Sequence, residues 1–178
     1  MRRPNDTDWS TSVAVTTRES NLPAMGIQAV SHIAVGVRDM DVALPFYTDV
    51  LGMYVSADKI EEFPQGPGQP PAQRRAVYLR WVDGPHASFV VLDQQLTWDT
   101  RGETTPLFSM GCHHFAFWVD DIAEVMERVR AATVDVIMGG NDGPGADTVM
   151  YGEPPGGFVK SVFLRDYEGN YVQLDQRA

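Results

Sequence analysis

The chain has 178 residues, a hydrophobic fraction of 43% and a formal net charge of −10. This size and composition are typical of one globular domain, or of two small modules that share a core. The acidic balance argues against a nucleic-acid binder, the single cysteine excludes a disulfide within the chain, and no apolar run approaches the roughly 20 residues of a membrane helix. We therefore predict a cytoplasmic protein that binds neither nucleic acid nor membrane.

The first half of the chain predicts a strand, a helix and further strands. Residues 1–26 are polar and predict an N-terminal extension, and a first module follows at 27–95. The β-branched run at 30–37 predicts a strand, and Asp39 is placed to cap a helix that ends at Gly52. Pro45 predicts a bent or late-starting first turn. A loop rich in Pro, Gly and Gln is predicted at 61–74, followed by strands at 76–82 and 87–92.

The second half repeats that order. A linker is predicted at 96–108 and a second module at 109–178, which opens with a strand at 112–119. Asp120 or Asp121 caps the next helix, whose apolar positions share one face: Ile122, Val125, Met126 and Val129. Residues 139–157 are rich in Gly and Pro and predict a long loop, typical of a functional lid or a mobile segment. Strands are predicted at 159–164 and 171–174.

An internal repeat relates the two halves. His32 and His114 lie 82 residues apart, and the residues at 32–39 match those at 114–121 in several positions. The same offset relates 90–94 to 172–176, which indicates a duplicated unit. The helices are expected on one face of the sheet, and the other face is free to curl into a cup. Because the two histidines occupy equivalent places, we expect them to converge on one site in one cavity.

The motifs that carry a family resemblance lie in both halves: the His-Ile-Ala-Val run at 32–35, and the segments 46–53, 114–121 and 163–170. With these motifs the chain resembles the vicinal oxygen chelate superfamily of glyoxalases, bleomycin-resistance proteins and extradiol dioxygenases. The resemblance implies an α+β fold of two βαβββ modules. These would form a cup-shaped, half-barrel mixed sheet with helices on the outer face and, commonly, a divalent metal on the cup floor.

The resemblance also implies a ligand set. The family positions correspond to His32, Val91, His114 and Gln173, and Val91 cannot bind a metal. Gln173 stands where most metal-binding relatives carry Glu. The remaining three resemble the arrangement of the extradiol dioxygenases, so the implied cofactor is Fe(II), with Mn, Co, Ni or Zn as alternatives. The other interpretation is a metal-free pocket in which both histidines only form hydrogen bonds.

Strand alternation selects the side chains that share the cup face with the histidines. Phe89, Cys112, Trp118 and Tyr171 are the candidate substrate contacts, and their aromatic rings suit a flat ligand. Tyr151 and Glu153, in the Gly- and Pro-rich loop, are the candidate catalytic acid or base.

Three functions fit these features. The first is a metal-dependent oxygenase that acts on an aromatic or polyketide-like small molecule. The second is a metal-assisted lyase, isomerase or epimerase of the glyoxalase type, and the third is a metal-free small-molecule binding or drug-resistance protein. A homodimer is expected because small curled sheets have open edges that favour pairing.

Overall fold

The protein is described by a computed structural model that covers residue 26, residues 29–140, the backbone of residues 148–149, and residues 159–177. The first half contains β1 (His32–Val37), α1 (Met40–Pro45), β2 (Tyr54–Phe63), β3 (Ala72–Arg80) and β4 (Phe89–Gln95). The second half contains β5 (Phe115–Trp118), α2 (Ile122–Ala131), β6 (Asp135–Gly139), β7 (Thr148–Val149), β8 (Val159–Arg165) and β9 (Tyr171–Arg177).

Each half forms its own mixed sheet. The first has the strand order β1-β4-β3-β2, and the second has the order β5-β9-β8-β6 with the short β7 paired to β8. In both sheets the first strand pairs in parallel with the last one, while the other pairs are antiparallel. The predicted α+β fold of two βαβββ modules is therefore confirmed, with β7 as an addition to the second module.

The two helices pack on one face of their sheets because each has an apolar stripe and a capped start. Asp39 and Asp121 accept hydrogen bonds from backbone N–H groups of the first turns, as predicted. The stripe of α2 is buried, and it joins α1 and the helix-facing residues of both sheets in a single core. We call the other side of each sheet its open face.

Side chains from distant parts of the sequence hold the two modules together. The Tyr47 hydroxyl donates to Asp166, 119 residues away, over 2.9 Å. Arg128 on α2 donates through Nε to the Val50 carbonyl over 2.8 Å. The second contact reaches the π-helical turn Phe46–Val50, which directly continues α1. Pro45 therefore stands at the end of α1, and the predicted irregularity falls after it rather than in the first turn.

Two of the predicted boundaries that differ from the structure bear on the candidate site. The loop predicted at 61–74 is shorter, because β2 extends to Phe63 and β3 begins at Ala72. The charged residues in this stretch pair across the strands, since Arg74 contacts Glu61 over 2.7 Å. The strand predicted at 112–119 contains only Phe115–Trp118. Residues 112–114 therefore lie before the strand, where strand alternation does not determine the side to which each side chain points.

Other predictions fall on segments that the structure does not describe, or describes only in part. The N-terminal extension lies outside the described residues except for Gly26, and the limits of the modules and the linker stay predictions. None of the helices in the described part of the chain has the length and apolarity needed to cross a bilayer.

Candidate functional site

His32 lies on the open face of the first sheet. Val35 and Val37 on β1 are buried against the helices, whereas His32, Ala34 and Gly36 are exposed on the opposite side. The parallel pairing of β1 with β4 places Phe89 beside His32. Their rings stack with centroids 5.0 Å apart and an angle of 12° between the planes. The strand alternation predicted for this half of the chain is thus confirmed.

An aromatic cavity of about 590 Å³ lies where β1 and β5 approach each other. Its ring-bearing walls are His32, Trp81, Phe89, Phe117 and Trp118. The rest of the lining is mainly aliphatic and includes Ile33, Leu51, Met53, Val119, Val125 and Leu174. Trp81 of the first module contacts Phe117 of the second edge-to-face, with centroids 5.4 Å apart. The structure therefore brings the predicted substrate contacts Phe89 and Trp118 together with His32.

A second, polar cavity of about 270 Å³ contains His114. It lies between the end of β1, the linker and the start of β5, and its polar walls include Arg38, Cys112, His113, His114, Glu168 and Tyr171. The Nδ1 atoms of His113 and His114 are 2.8 Å apart. His113 and His114 lie side by side although they are adjacent in sequence, because β5 begins only at Phe115 and strand alternation does not separate them. The predicted contacts Cys112 and Tyr171 thus accompany His114.

Burial lowers the pKa of His114. Loss of hydration lowers the pKa of its imidazole, the neighbouring His113 lowers it further, and Asp175 opposes the shift. These surroundings therefore favour the neutral form of the His114 imidazole. Its ring also packs edge-on against Phe163, with centroids 5.2 Å apart.

Gln173 is buried on the open face of the second sheet, on β9 next to Ala116 of β5. Its amide nitrogen donates to Asp175 Oδ1 over 2.8 Å. This bond has a clear physical role, because a buried carboxylate needs donors that replace water. Gln173 lines neither the aromatic nor the polar cavity.

The expectation that His32 and His114 share one cavity within a chain was wrong. His32 lines the aromatic cavity and His114 lines the polar one. Among the described residues, the predicted ligands His32, His114 and Gln173 do not line a common cavity, and no group of three His, Cys, Asp or Glu side chains is placed to hold a divalent metal. Tyr151 and Glu153 lie outside the described residues, so their predicted role stays a prediction.

A charged network on the open face of the first sheet was missed by sequence reasoning. Glu61 accepts from Lys59 over 2.8 Å, from Arg74 over 2.7 Å and from the Tyr78 hydroxyl over 2.9 Å. These donors, with Lys59 contributing most, lower the pKa of Glu61 to about 2. Arg74 also pairs with Asp93 on β4. The alternation of charged residues at Lys59 and Glu61, opposite Arg74, was the available signal.

A family model described as the Glyoxalase/Bleomycin resistance protein/Dioxygenase superfamily matches residues 29–174. No curated protein sequence matches the chain. Among solved structures, a glyoxalase family protein from Bacillus cereus is similar at 18% identity and a TM-score of 0.64, over 86% of this chain and 99% of that one.

Two further solved structures are similar. The trypanothione-dependent glyoxalase I of Leishmania major has 18% identity and a TM-score of 0.55, over 83% of this chain and 86% of that one. TnmS3, an antibiotic binding protein from Streptomyces sp., has 22% identity and a TM-score of 0.50, over 87% of this chain and all of that one. At these identities the likeness establishes the fold and leaves the reaction open.

Proposed function

Because the chain belongs to the glyoxalase, bleomycin resistance protein and dioxygenase superfamily, we propose that it binds a flat, largely apolar small molecule in the aromatic cavity. The observation that carries this proposal is the wall of rings from both modules, in which His32, Phe89 and Trp118 face one space. The superfamily contains enzymes and binding proteins alike, and binding is the function that these contacts support best.

The size and chemistry of the cavity support this proposal. Its volume of about 590 Å³ lies within the roughly 300–1,000 Å³ of typical small-molecule sites. Trp81 and Trp118 are 45% and 52% exposed, so a ligand that covers them removes apolar surface from water. Ring-on-ring packing favours a flat aromatic molecule over an aliphatic one of equal area.

Metal-dependent oxygenation of an aromatic substrate is the second candidate. It is favoured by the lowered pKa of His114, because a histidine binds a metal in its neutral form, and by the equivalent positions of His32 and His114 in the repeat. Because the two histidines of one chain line different cavities, this candidate places the ion between His32 of one chain and His114 of a second copy. The predicted homodimer is part of this candidate, as is iron as the metal.

Isothermal titration calorimetry with 2-naphthamide, a neutral flat probe, tests the binding proposal. Wild-type protein is expected to bind it, and Trp118→Ala is expected to weaken binding about tenfold because a large ring contact is lost. Trp98→Ala is the matched control, since Trp98 is similarly exposed and lines neither cavity. Absence of binding to wild type, or equal losses in the two variants, would refute the proposal.

Metal analysis of protein purified without a histidine tag tests the second candidate. Under the binding proposal we expect far less than one equivalent of Fe, Mn, Co, Ni or Zn per chain. A stoichiometric metal that disappears in both His32→Ala and His114→Ala, together with a dimer by light scattering, would favour the oxygenase. Substrate-dependent O₂ uptake by the Fe(II)-loaded dimer would then decide the reaction.

A further inference from the structure

Arg80 lies at the margin of the aromatic cavity, and we propose that it binds an acidic group of the ligand. The preferred ligand would then be an aromatic anion, such as a carboxylate on a flat ring system. This inference rests on the proposed function, because it identifies the charge of the molecule that occupies the same cavity.

A row of side chains across the first sheet connects Arg80 to the cavity. Leu79 is fully buried against the helices, so Arg80, the next residue on β3, projects from the open face. Its guanidinium lies 4.8 Å from the centre of the Phe89 ring, and Phe89 stacks on His32. Both rings belong to the cavity wall, whereas Arg80 stands just beyond it.

The guanidinium is held in place without an acidic partner. Nη1 donates to the Ala87 carbonyl over 2.9 Å, and the planar group rests on Phe89. Within the described residues Arg80 forms no ion pair, in contrast to Arg74 and Arg75 on the same strand, which contact carboxylates. A positioned guanidinium with unused N–H donors matches the geometry of a carboxylate.

The other cations on this face are already paired. Glu61 is bound by Lys59 and Arg74, and Asp93 is bound by Arg74, so two cations offset two anions. Asp83 accepts the hydroxyl hydrogen bond of Tyr54. Among the described residues, Arg80 is therefore the cation on the open face of the first sheet that forms no ion pair, although the whole chain carries −10. A cation whose donors are not taken by a carboxylate favours an anionic over a cationic ligand.

The second module contains the equivalent pair in different surroundings. Arg165 packs over Tyr171 at 4.8 Å, as Arg80 packs over Phe89. Arg165, however, lines a separate cavity together with Asp135, Asp166 and Glu168. The acidic walls of that cavity offset its charge. Arg177 of the second module lies 4.4 Å from the centre of the Trp118 ring, so it is a second cation at the wall of the aromatic cavity and adds to the preference for an anion.

Three probes of the same shape and different charge test the inference: 2-naphthoate, 2-naphthamide and 2-naphthylmethylammonium. Titration calorimetry of the full-length protein is expected to rank the anion first and the cation last. Arg80→Gln is expected to weaken 2-naphthoate binding about tenfold, the loss of one charge-assisted contact, and to leave 2-naphthamide binding unchanged. Arg80→Lys should restore part of the anion preference because it keeps the charge.

A control variant and the pattern of probe binding distinguish failure of the role of Arg80 from failure of the proposed function. Arg75→Gln makes the same charge change on the helix-facing side of β3, where Arg75 contacts Asp41 and Asp58, so it should leave the ranking unchanged. Binding of 2-naphthamide without a preference for 2-naphthoate, or equal losses of both in Arg80→Gln, would overturn the role of Arg80 and leave the proposed function standing. Absence of binding by all three probes would overturn both.

Discussion

The hydrogen bond between Tyr47 and Asp166 is expected to be a main link between the two modules. Tyr47 is fully buried, and its hydroxyl donates to Asp166 Oδ2 over 2.9 Å. Asp166 is 3% exposed and also accepts from the backbone N–H of Glu168 and from both nitrogens of Asn170. Tyr47→Phe removes one donor from this carboxylate and leaves the aromatic packing in place.

The expected loss of stability in Tyr47→Phe follows from the hydrogen bonds that Asp166 keeps. A hydrogen bond to a charged group contributes roughly 1.5–3 kcal/mol to stability. Because Asp166 keeps three other donors in the variant, we expect the low end, about 1.5 kcal/mol, for Tyr47→Phe. Tyr167→Phe is the matched control, because the Tyr167 hydroxyl is exposed and makes only a 3.4 Å contact with the Ala132 carbonyl. Its effect should stay within about 0.5 kcal/mol.

The same bond predicts a pH dependence with a definite sign. Burial, and then the charge of Asp166, raise the pKa of Tyr47 well above its ordinary value of 10.0. Above pH 10 the unfolded chain therefore releases a proton that the folded chain retains, and stability falls with rising pH. The contribution of Tyr47 to this slope is about 1.4 kcal/mol per pH unit, and Tyr47→Phe should lose it.

Urea unfolding followed by circular dichroism, at pH 7 and between pH 10 and 11, measures both effects. Replacing Asp166 with Asn in both backgrounds completes a double-mutant cycle, in which a coupling near 1 kcal/mol is expected. A cost below about 0.5 kcal/mol for Tyr47→Phe at pH 7, or an alkaline slope equal to that of the wild type, would refute the reasoning.

Three further predictions concern the sheets and the helix contact. The stability that Glu61 contributes should be present above pH 4.5 and lost as the pH falls toward its folded pKa of about 2, so Glu61→Gln should flatten the acid-unfolding curve over that interval. Gly139→Ala should cost about 2–3 kcal/mol in urea unfolding, because Gly139 has a φ of +81° and a Cβ would lie 2.3 Å from the Ser161 carbonyl oxygen. The control Gly52→Ala, with a φ of +75° and open space around it, should cost only about 1 kcal/mol. Arg128→Met should lower the melting temperature by removing the donor to the Val50 carbonyl, whereas Glu124→Gln, which breaks only the exposed pair with Arg128, should change stability by less than about 0.5 kcal/mol.

Much of each module follows from local sequence patterns. The buried positions of α2 could be read from their helical spacing, and both helix caps from Asp39 and Asp121. The repeat of His32 and His114 identified the duplicated unit, and the family follows from the same motifs. These features depend on contacts within a few residues, or within one pair of strands.

The errors arose where pairing between distant strands overrides local composition. The segment at 61–74 was predicted as a loop from its Pro, Gly and Gln residues, but cross-strand pairs such as Arg74–Glu61 extend both strands into it. Conversely, β5 begins only at Phe115, after His114. The His114 ring therefore lies against His113 and does not follow the strand alternation. Neither outcome is visible in a single stretch of sequence.

The sequence by itself determined that the chain contains a duplicated unit, and the family resemblance of its motifs implied the βαβββ order of that unit. Strand alternation placed His32 and Phe89 on one face of the first sheet. Alternation and periodicity encode which side of its own sheet a residue occupies, because that depends only on strand geometry. The tertiary structure alone decided that His32 and His114 line different cavities of one chain. The relative placement of the modules depends on contacts between residues far apart in sequence, such as Tyr47 with Asp166, and no local pattern specifies them.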